Sequence, residues 1–338
     1  MKKCYINGVA AISAQNYREV KFTENNTPLT EFLNYADEPN YKEFLSASSL
    51  RRMSKAVKMG LFTAQKALKS SEVSEIEAII TGTGLGCLAD SEKFLANLIQ
   101  NDEEFLTPTA FIQSTHNTVA AQIALHLHCN AYNFTYVNGG NSFEAAALDA
   151  LLQIKNNEIS NALVGGIDEI ATRTHQLLQL VEVIQSTKNG SGAKFGEGAT
   201  FFILSDKFTQ KSYAEIVDIE IRNKLENITI EEFVESFLQE NQLMLNDIQV
   251  IFVGKNSEVA TTEIDQYFDA FYPQAIYSYK KFCGEYDTAS AYGMLLAAEF
   301  LKNQNYPNQS EVENILLYNQ FLGKNHSLVL LRKCQNIE

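Results

Sequence analysis

The residues best suited to chemistry lie where a strand runs into a long helix, at Asn138-Gly139-Gly140-Asn141-Ser142-Phe143-Glu144. A serine on such a turn presents its hydroxyl beyond the strand end, and Ser142 takes the nucleophile place of a GxSxG pattern. Glu144 replaces the second glycine, and Ser142 is equally a natural N-cap for the helix. Thr81-Gly82-Thr83-Gly84-Leu85-Gly86 follows a short apolar strand and looks like a phosphate loop. It lacks the GxGxxG spacing and a Walker lysine, so a tight backbone crossing is the plainer reading. His126 and His128 point to different faces of a helix, and His116 has no i, i+4 spacing to either, so the three make a poor metal set. His175 and His326 are isolated. Asp168-Glu169 follows Gly165-Gly166, and acids after a strand more often cap a helix than hold a metal. No metal and no cofactor is expected.

Alternating strands and helices must position these residues. Cys4 to Ile12 reads as a strand interrupted by glycine, and Met53, Ala56, Val57, Gly60, Leu61, Ala64 and Leu68 repeat at helical spacing. Strands are expected at 77–82, 133–137, 162–164 and 200–204, with helices at 91–100, 117–128 and from Ser142 to about Asn156. The rhythm recurs after a polar stretch at Asp206 to Tyr213. Strands are expected at 216–221, 250–253, 315–318 and 327–331, with helices at 230–242, 263–271 and 289–303. This predicts an α/β architecture with mainly parallel central strands, divided into 1–205 and 206–338.

The 338 residues carry 27 basic and 41 acidic side chains, a net charge of −14. That balance excludes a nucleic-acid footprint and docking onto anionic lipid. A hydrophobic fraction of 45% supports a real core. No run of eighteen apolar residues is present, so no membrane span is expected. Cys4, Cys87, Cys129, Cys283 and Cys334 are odd in number and form no CxxC pair. Neither a disulfide framework nor a zinc site fits them, and a reducing, cytoplasmic compartment does.

Taken in order, these pieces resemble the β-ketoacyl synthase family of the thiolase superfamily over nearly the whole chain. Arg52-Met53 with its helix, Ile80 to Gly86, and Ser114 to Gln122 are similar to successive family segments. So are Ala162-Leu163-Val164-Gly165-Gly166-Ile167-Asp168-Glu169 and Lys194-Phe195-Gly196-Glu197-Gly198-Ala199. Tyr279-Lys280 to Gly284 and Asn319-Gln320-Phe321-Leu322-Gly323 complete the series. The resemblance implies a thiolase-like fold of two related halves in five αβαβα layers. It also implies a dimer built across Asn133 to Val137. Active members load an acyl group onto a cysteine and condense it with malonyl carrier protein, assisted by two histidines.

Carried over residue by residue, that machinery is missing. Counting back from Gly165-Gly166 places the nucleophile on Gly140, and no cysteine occurs between Asn130 and Phe282. No histidine follows the strand Val250 to Val253. Glu285 stands where the second histidine belongs, where a carboxylate would repel the developing enolate. Lys280 is retained, and the helix acid falls on Met294. Glycine offers no acyl acceptor. The resemblance therefore implies a non-catalytic, chain-length-factor-like subunit of fatty acid or polyketide synthesis. It would pair with an active ketosynthase, or with itself, and meet acyl carrier protein through that complex, the acidic charge leaving carrier docking to the partner. The short cap segments, His175 to Gly192 and Asp218 to Ile230, resemble members from aryl-polyene or flexirubin-type pigment pathways. Phe111, Ile112, Val119 and Phe134 are apolar interface candidates; His116, Asn117, Tyr136, Ser142, Phe143 and Phe321 are further pocket or interface positions. Two other readings stay open: an acyl-processing enzyme using Ser142, Glu285 and His116 or His326, and a scaffold that holds a carrier protein.

Overall fold

Apolar side chains alternate to opposite faces along the central strands, so each strand must be covered on both sides. In the computed structural model, Phe202 and Leu204 face one core, while Phe201 and Ile203 face another. The described residues are 2–16, 27–104, 108–181, 193–255, 267–268, 276–303, 311–321 and 323–335. Their strands are β1 (Cys4–Ile12), β2 (Leu33–Asn34), β3 (Ala78–Gly82), β4 (Tyr132–Tyr136), β5 (Asn161–Asp168), β6 (Phe195–Gly196) and β7 (Gly198–Ser205). After these come β8 (Ala214–Arg222), β9 (Val250–Val253), β10 (Ile276–Ser278), β11 (Asn314–Phe321) and β12 (Lys324–Arg332).

Ten strands form one sheet ordered β10-β9-β11-β12-β8-β1-β7-β5-β3-β4, and β2 pairs with β6 separately. The order β1-β7-β5-β3-β4 is repeated by β8-β12-β11-β9-β10, with the same sequence of parallel and antiparallel pairings. The two runs join where Cys4, Tyr5 and Ile6 pair with Ile216, Glu215 and Ala214.

The helices are α1 (Ala47–Leu50), α2 (Lys55–Ser70), α3 (Leu88–Gln100), α4 (Pro108–Gln113), α5 (Thr118–Leu127), α6 (Ser142–Lys155) and α7 (Thr172–Leu180). Beyond the junction lie α8 (Ile230–Glu240), α9 (Lys280–Cys283) and α10 (Ala289–Asn303). Helices α6 and α10 are buried together between the two halves of the sheet, and their many alanines let both backbones share one layer. Helices α2 and α5 cover the outer face of the first half, and α8 covers that of the second. Five layers result. Thr229 and Glu232 start α8 with a reciprocal capping box. The cap segment expected from Asp218 is shorter than sequence suggested, because β8 runs on to Arg222. The helix expected at 263–271 lies outside the described residues, apart from Tyr267 and Phe268.

Candidate functional site

The site positions gather where the carboxyl ends of β3, β5 and β9 meet the amino ends of α6 and α10. Gly140 is buried in the single turn that leads into α6. A Cβ built on it would lie 2.3 Å from Phe321 Cβ and 3.2 Å from Asn325 Cβ. The β11–β12 hairpin thus fills the space a side chain at Gly140 would need. A Cβ on Gly84 would meet the Asp287 carboxyl carbon at 2.1 Å, so that side chain lies directly on the Thr81–Gly86 turn. Gly254, which follows β9, faces the Tyr279 hydroxyl and Asn319 Oδ1, each 2.8 Å from a built Cβ.

Glu285 does not stand as a bare negative charge. Lys280 Nζ donates to Glu285 Oε1 at 2.6 Å and to the Gln320 carbonyl at 2.5 Å. Both side chains are almost wholly buried. The expected repulsion is offset by this pairing: Lys280 supplies a counter-charge to Glu285. Met294 is fully buried in α10.

A second buried network ties the Gly140 turn to the hairpin. Asn319 Nδ2 donates to the Gly140 carbonyl at 3.2 Å and to Glu144 Oε1 at 3.0 Å. Ser327 Oγ donates to the same Glu144 oxygen at 2.7 Å, and the Tyr279 hydroxyl donates to Asn319 Oδ1 at 2.7 Å. Burial raises the Glu144 carboxyl above its usual range, although the surrounding donors pull it back.

Several sequence candidates take other places. The Ser142 hydroxyl donates to the Gly139 carbonyl at 2.6 Å and accepts from Asn138 N–H at 2.8 Å, fully buried. It closes the turn rather than projecting beyond it. Val119, grouped with the interface candidates, lies inside the protomer, packed against Gly60 of α2. Phe143, a pocket candidate, is core: its ring centroid lies 5.7 Å from that of Phe202 in the middle layer. His116 and Asn117 are exposed, as are Phe111 and Ile112. His326 is buried, with Nδ1 paired to the Tyr318 hydroxyl at 2.8 Å. Phe134 is 46% exposed on β4, the free edge of the sheet, with Tyr132 and Tyr136 beside it.

Sequence reasoning missed Asp287 and understated Asp168 and Glu169. Asp168 Oδ1 accepts from Thr83 Oγ1 and Gly84 N, and Oδ2 accepts from Thr288 N and Oγ1. Burial, then the Asp168 charge, raises Asp287. Glu169 accepts from Ala56 N at 3.0 Å and Ala89 N at 2.9 Å, near the starts of α2 and α3. Burial still lifts it from 4.5 to about 7. A carboxyl raised in the folded state favours folding below its unfolded value, and that stability is lost as pH climbs through the folded one. Stability is therefore expected to fall between pH 4.5 and about 7. E169Q is expected to remove up to about 1.4 kcal/mol per pH unit from that slope, measured by urea melts across the range. An unchanged slope would reject this assignment.

All five cysteines are free. Among the described residues, no group of three or more His, Cys, Asp or Glu side chains could hold a metal ion, and no helix is long and apolar enough to cross a membrane.

The family model for the β-ketoacyl synthase N-terminal domain matches residues 7–208. No curated protein matches the chain. Among solved structures, a type II polyketide synthase acyl-carrier protein in complex with its ketosynthase bound to the hexaketide contains a similar chain. That match has a TM-score of 0.80 at 14% identity, covering 98% of this chain and 99% of that one. The ishigamide ketosynthase/chain length factor gives 0.78 at 16%, covering 99% and 100%. A ketosynthase in complex with its chain length factor from Xenorhabdus doucetiae gives 0.76 at 12%, covering 98% of each. At these identities the likeness establishes the thiolase-like fold.

Proposed function

Because the chain belongs to the β-ketoacyl synthase family, we propose that it is a non-catalytic, chain-length-factor-type subunit of fatty acid or polyketide synthesis. It pairs with an active ketosynthase and helps wall that partner's acyl channel. The observation that carries this reading is Gly140 sealed beneath Phe321, where the family resemblance calls for the acyl-accepting cysteine. Acyl transfer needs an activated nucleophile, and this turn has none to offer. The buried Lys280–Glu285 pair supports the same reading, since it leaves no neutral donor aimed at an enolate.

In this reading 1–205 and 206–338 are the two halves, and β4 is the dimer edge. An unpaired edge strand with three aromatic side chains is a ready template for another chain's strand. One solved relative is a ketosynthase in complex with its chain length factor and another an acyl-carrier protein in complex with its ketosynthase, which supports a cytoplasmic ketosynthase as the occupant, with acyl carrier protein reaching the complex through it. An aryl-polyene or flexirubin-type pigment is the proposed product class.

The test is co-expression with a ketosynthase that keeps its cysteine, followed by exposure to a radiolabelled acyl thioester. The complex should co-purify, the label should appear on the partner alone, and F134D should abolish co-purification. Label on Ser142, or a homodimer that ignores every ketosynthase offered, would overturn the reading.

A further inference from the structure

A half-open cavity of about 620 Å³ lies between α1, α2, α4 and α5, away from the sealed turn at Gly140. Its lining is Ser48, Ser49, Arg52, Met53, Val57, Gln113, Thr118 and Gln122. The volume falls in the range of small-molecule sites. The charge of the lining runs against that of the chain: one guanidinium is present and no carboxylate, in a protein of net charge −14.

Some of the polar groups are already committed. Gln113 Nε2 donates to the Arg52 carbonyl, which fastens α4 to the corner before α2. Thr118 Oγ1 donates to the Ile112 carbonyl at 2.9 Å. Ser48 and Ser49 share contacts with the Ser46 hydroxyl at 3.0 and 2.9 Å. Arg52 and Gln122 differ: among the described residues, neither the guanidinium nor the carboxamide has a hydrogen-bond partner. Thr118 also brings the amino end of α5 to the wall, and Asn117 before it makes no capping hydrogen bond there. A guanidinium fork matches the geometry of an oxyanion, and Met53 and Val57 give the same cavity an apolar side.

We propose that this cavity binds an amphiphilic oxyanion, with a phosphate or carboxylate head on Arg52 and Gln122 and a short apolar tail against Met53 and Val57. None of its residues belongs to the Gly140 turn or the β4 edge, although α4 and α5 also carry the interface candidates Phe111, Ile112 and Val119.

Calorimetry on the full chain with octyl phosphate, octanoate, inorganic phosphate and octanol tests this. Octyl phosphate or octanoate should bind more tightly than inorganic phosphate or octanol, and the better of the two identifies the head group. R52A should weaken that binding at least about tenfold, the loss of one charged hydrogen-bond pair. R52K should fall between, because a lysine keeps the charge and loses the fork. R51A, which alters an exposed neighbour outside the lining, should bind like the parent chain. The proposal is overturned by no binding at about 5 mM ligand, the bottom of the useful affinity range. Octanol binding as tightly as octyl phosphate, or R51A losing as much as R52A, would overturn it too.

Discussion

K280M is expected to destabilise the protein by about 3–5 kcal/mol, and E285L by a similar amount. Lys280 and Glu285 are 1% and 3% exposed, so removing either strips the other of its 2.6 Å ion pair in a place water does not reach. Lys280 also satisfies the Gln320 carbonyl, which K280M orphans. The double variant K280M/E285L should recover most of the loss, because replacing a buried pair with apolar groups of similar size is often neutral. Urea melts of the four proteins give the coupling energy directly. Additive losses, or a K280M change under about 1 kcal/mol, would show that the pair does not hold the α9–α10 corner.

That corner shows what sequence could and could not reveal. The helix Ala289–Asn303 was legible to the residue, and Ser142–Lys155 nearly so, because alanine-rich runs with clear ends follow strand-like segments. Alternation of strand and helix made the α/β class legible but misled on direction: the central strands β7, β1, β8 and β12 pair antiparallel rather than parallel. The repeated strand order was carried by the family resemblance rather than by periodicity, since no local pattern says which strands pair. Lys280 and Glu285 lie five residues apart and could have been paired from sequence. The family comparison drew attention to the lost histidine instead of the new partner.

The misses share a physical cause. Val119 and Phe143 are apolar, and an apolar residue reads the same whether it meets a partner or its own core; only the packing against Gly60 and Phe202 separates the cases. Asp287 was overlooked because its carboxyl rests on Gly84, about two hundred residues earlier in the chain. Ser142 reads from sequence as a nucleophile or an N-cap; Asn141 holds the cap position instead, and the Ser142 hydroxyl bonds back to Asn138 and Gly139. Phe321 was placed among the pocket residues by resemblance, but its seat on Gly140 has no sequence signal.

On the proposed reading, placing a cysteine at Gly140 alone is expected to damage the protein rather than make it active. Gly140 does not adopt a left-handed conformation, so its backbone would accept a side chain. Space is what forbids one. The built Cβ meets Phe321 at that residue's own Cβ, an atom held by the β11 backbone, and not at the swinging end of the ring. G140C must push the hairpin away, strain the Asn319 hydrogen bond to the Gly140 carbonyl, or both, for an expected loss of about 1–3 kcal/mol. Its thiol should resist iodoacetamide, being trapped under Phe321. F321G, which removes the clashing Cβ, should cost about 3–5 kcal/mol, the usual Phe→Ala range, because the partial burial of Phe321 offsets the added cost of a strand glycine. Combined as G140C/F321G, the two changes should be less harmful than their sum, since losing the Phe321 Cβ removes the atom that the new side chain meets. The freed thiol would sit at the amino end of α6, where the helix dipole favours a thiolate, and should alkylate readily. Even so, the double variant should not condense acyl chains, because Gly254 and Glu285 leave the decarboxylation step without its donors. Rapid alkylation of G140C alone would show that the turn is open and that Phe321 is not the seal.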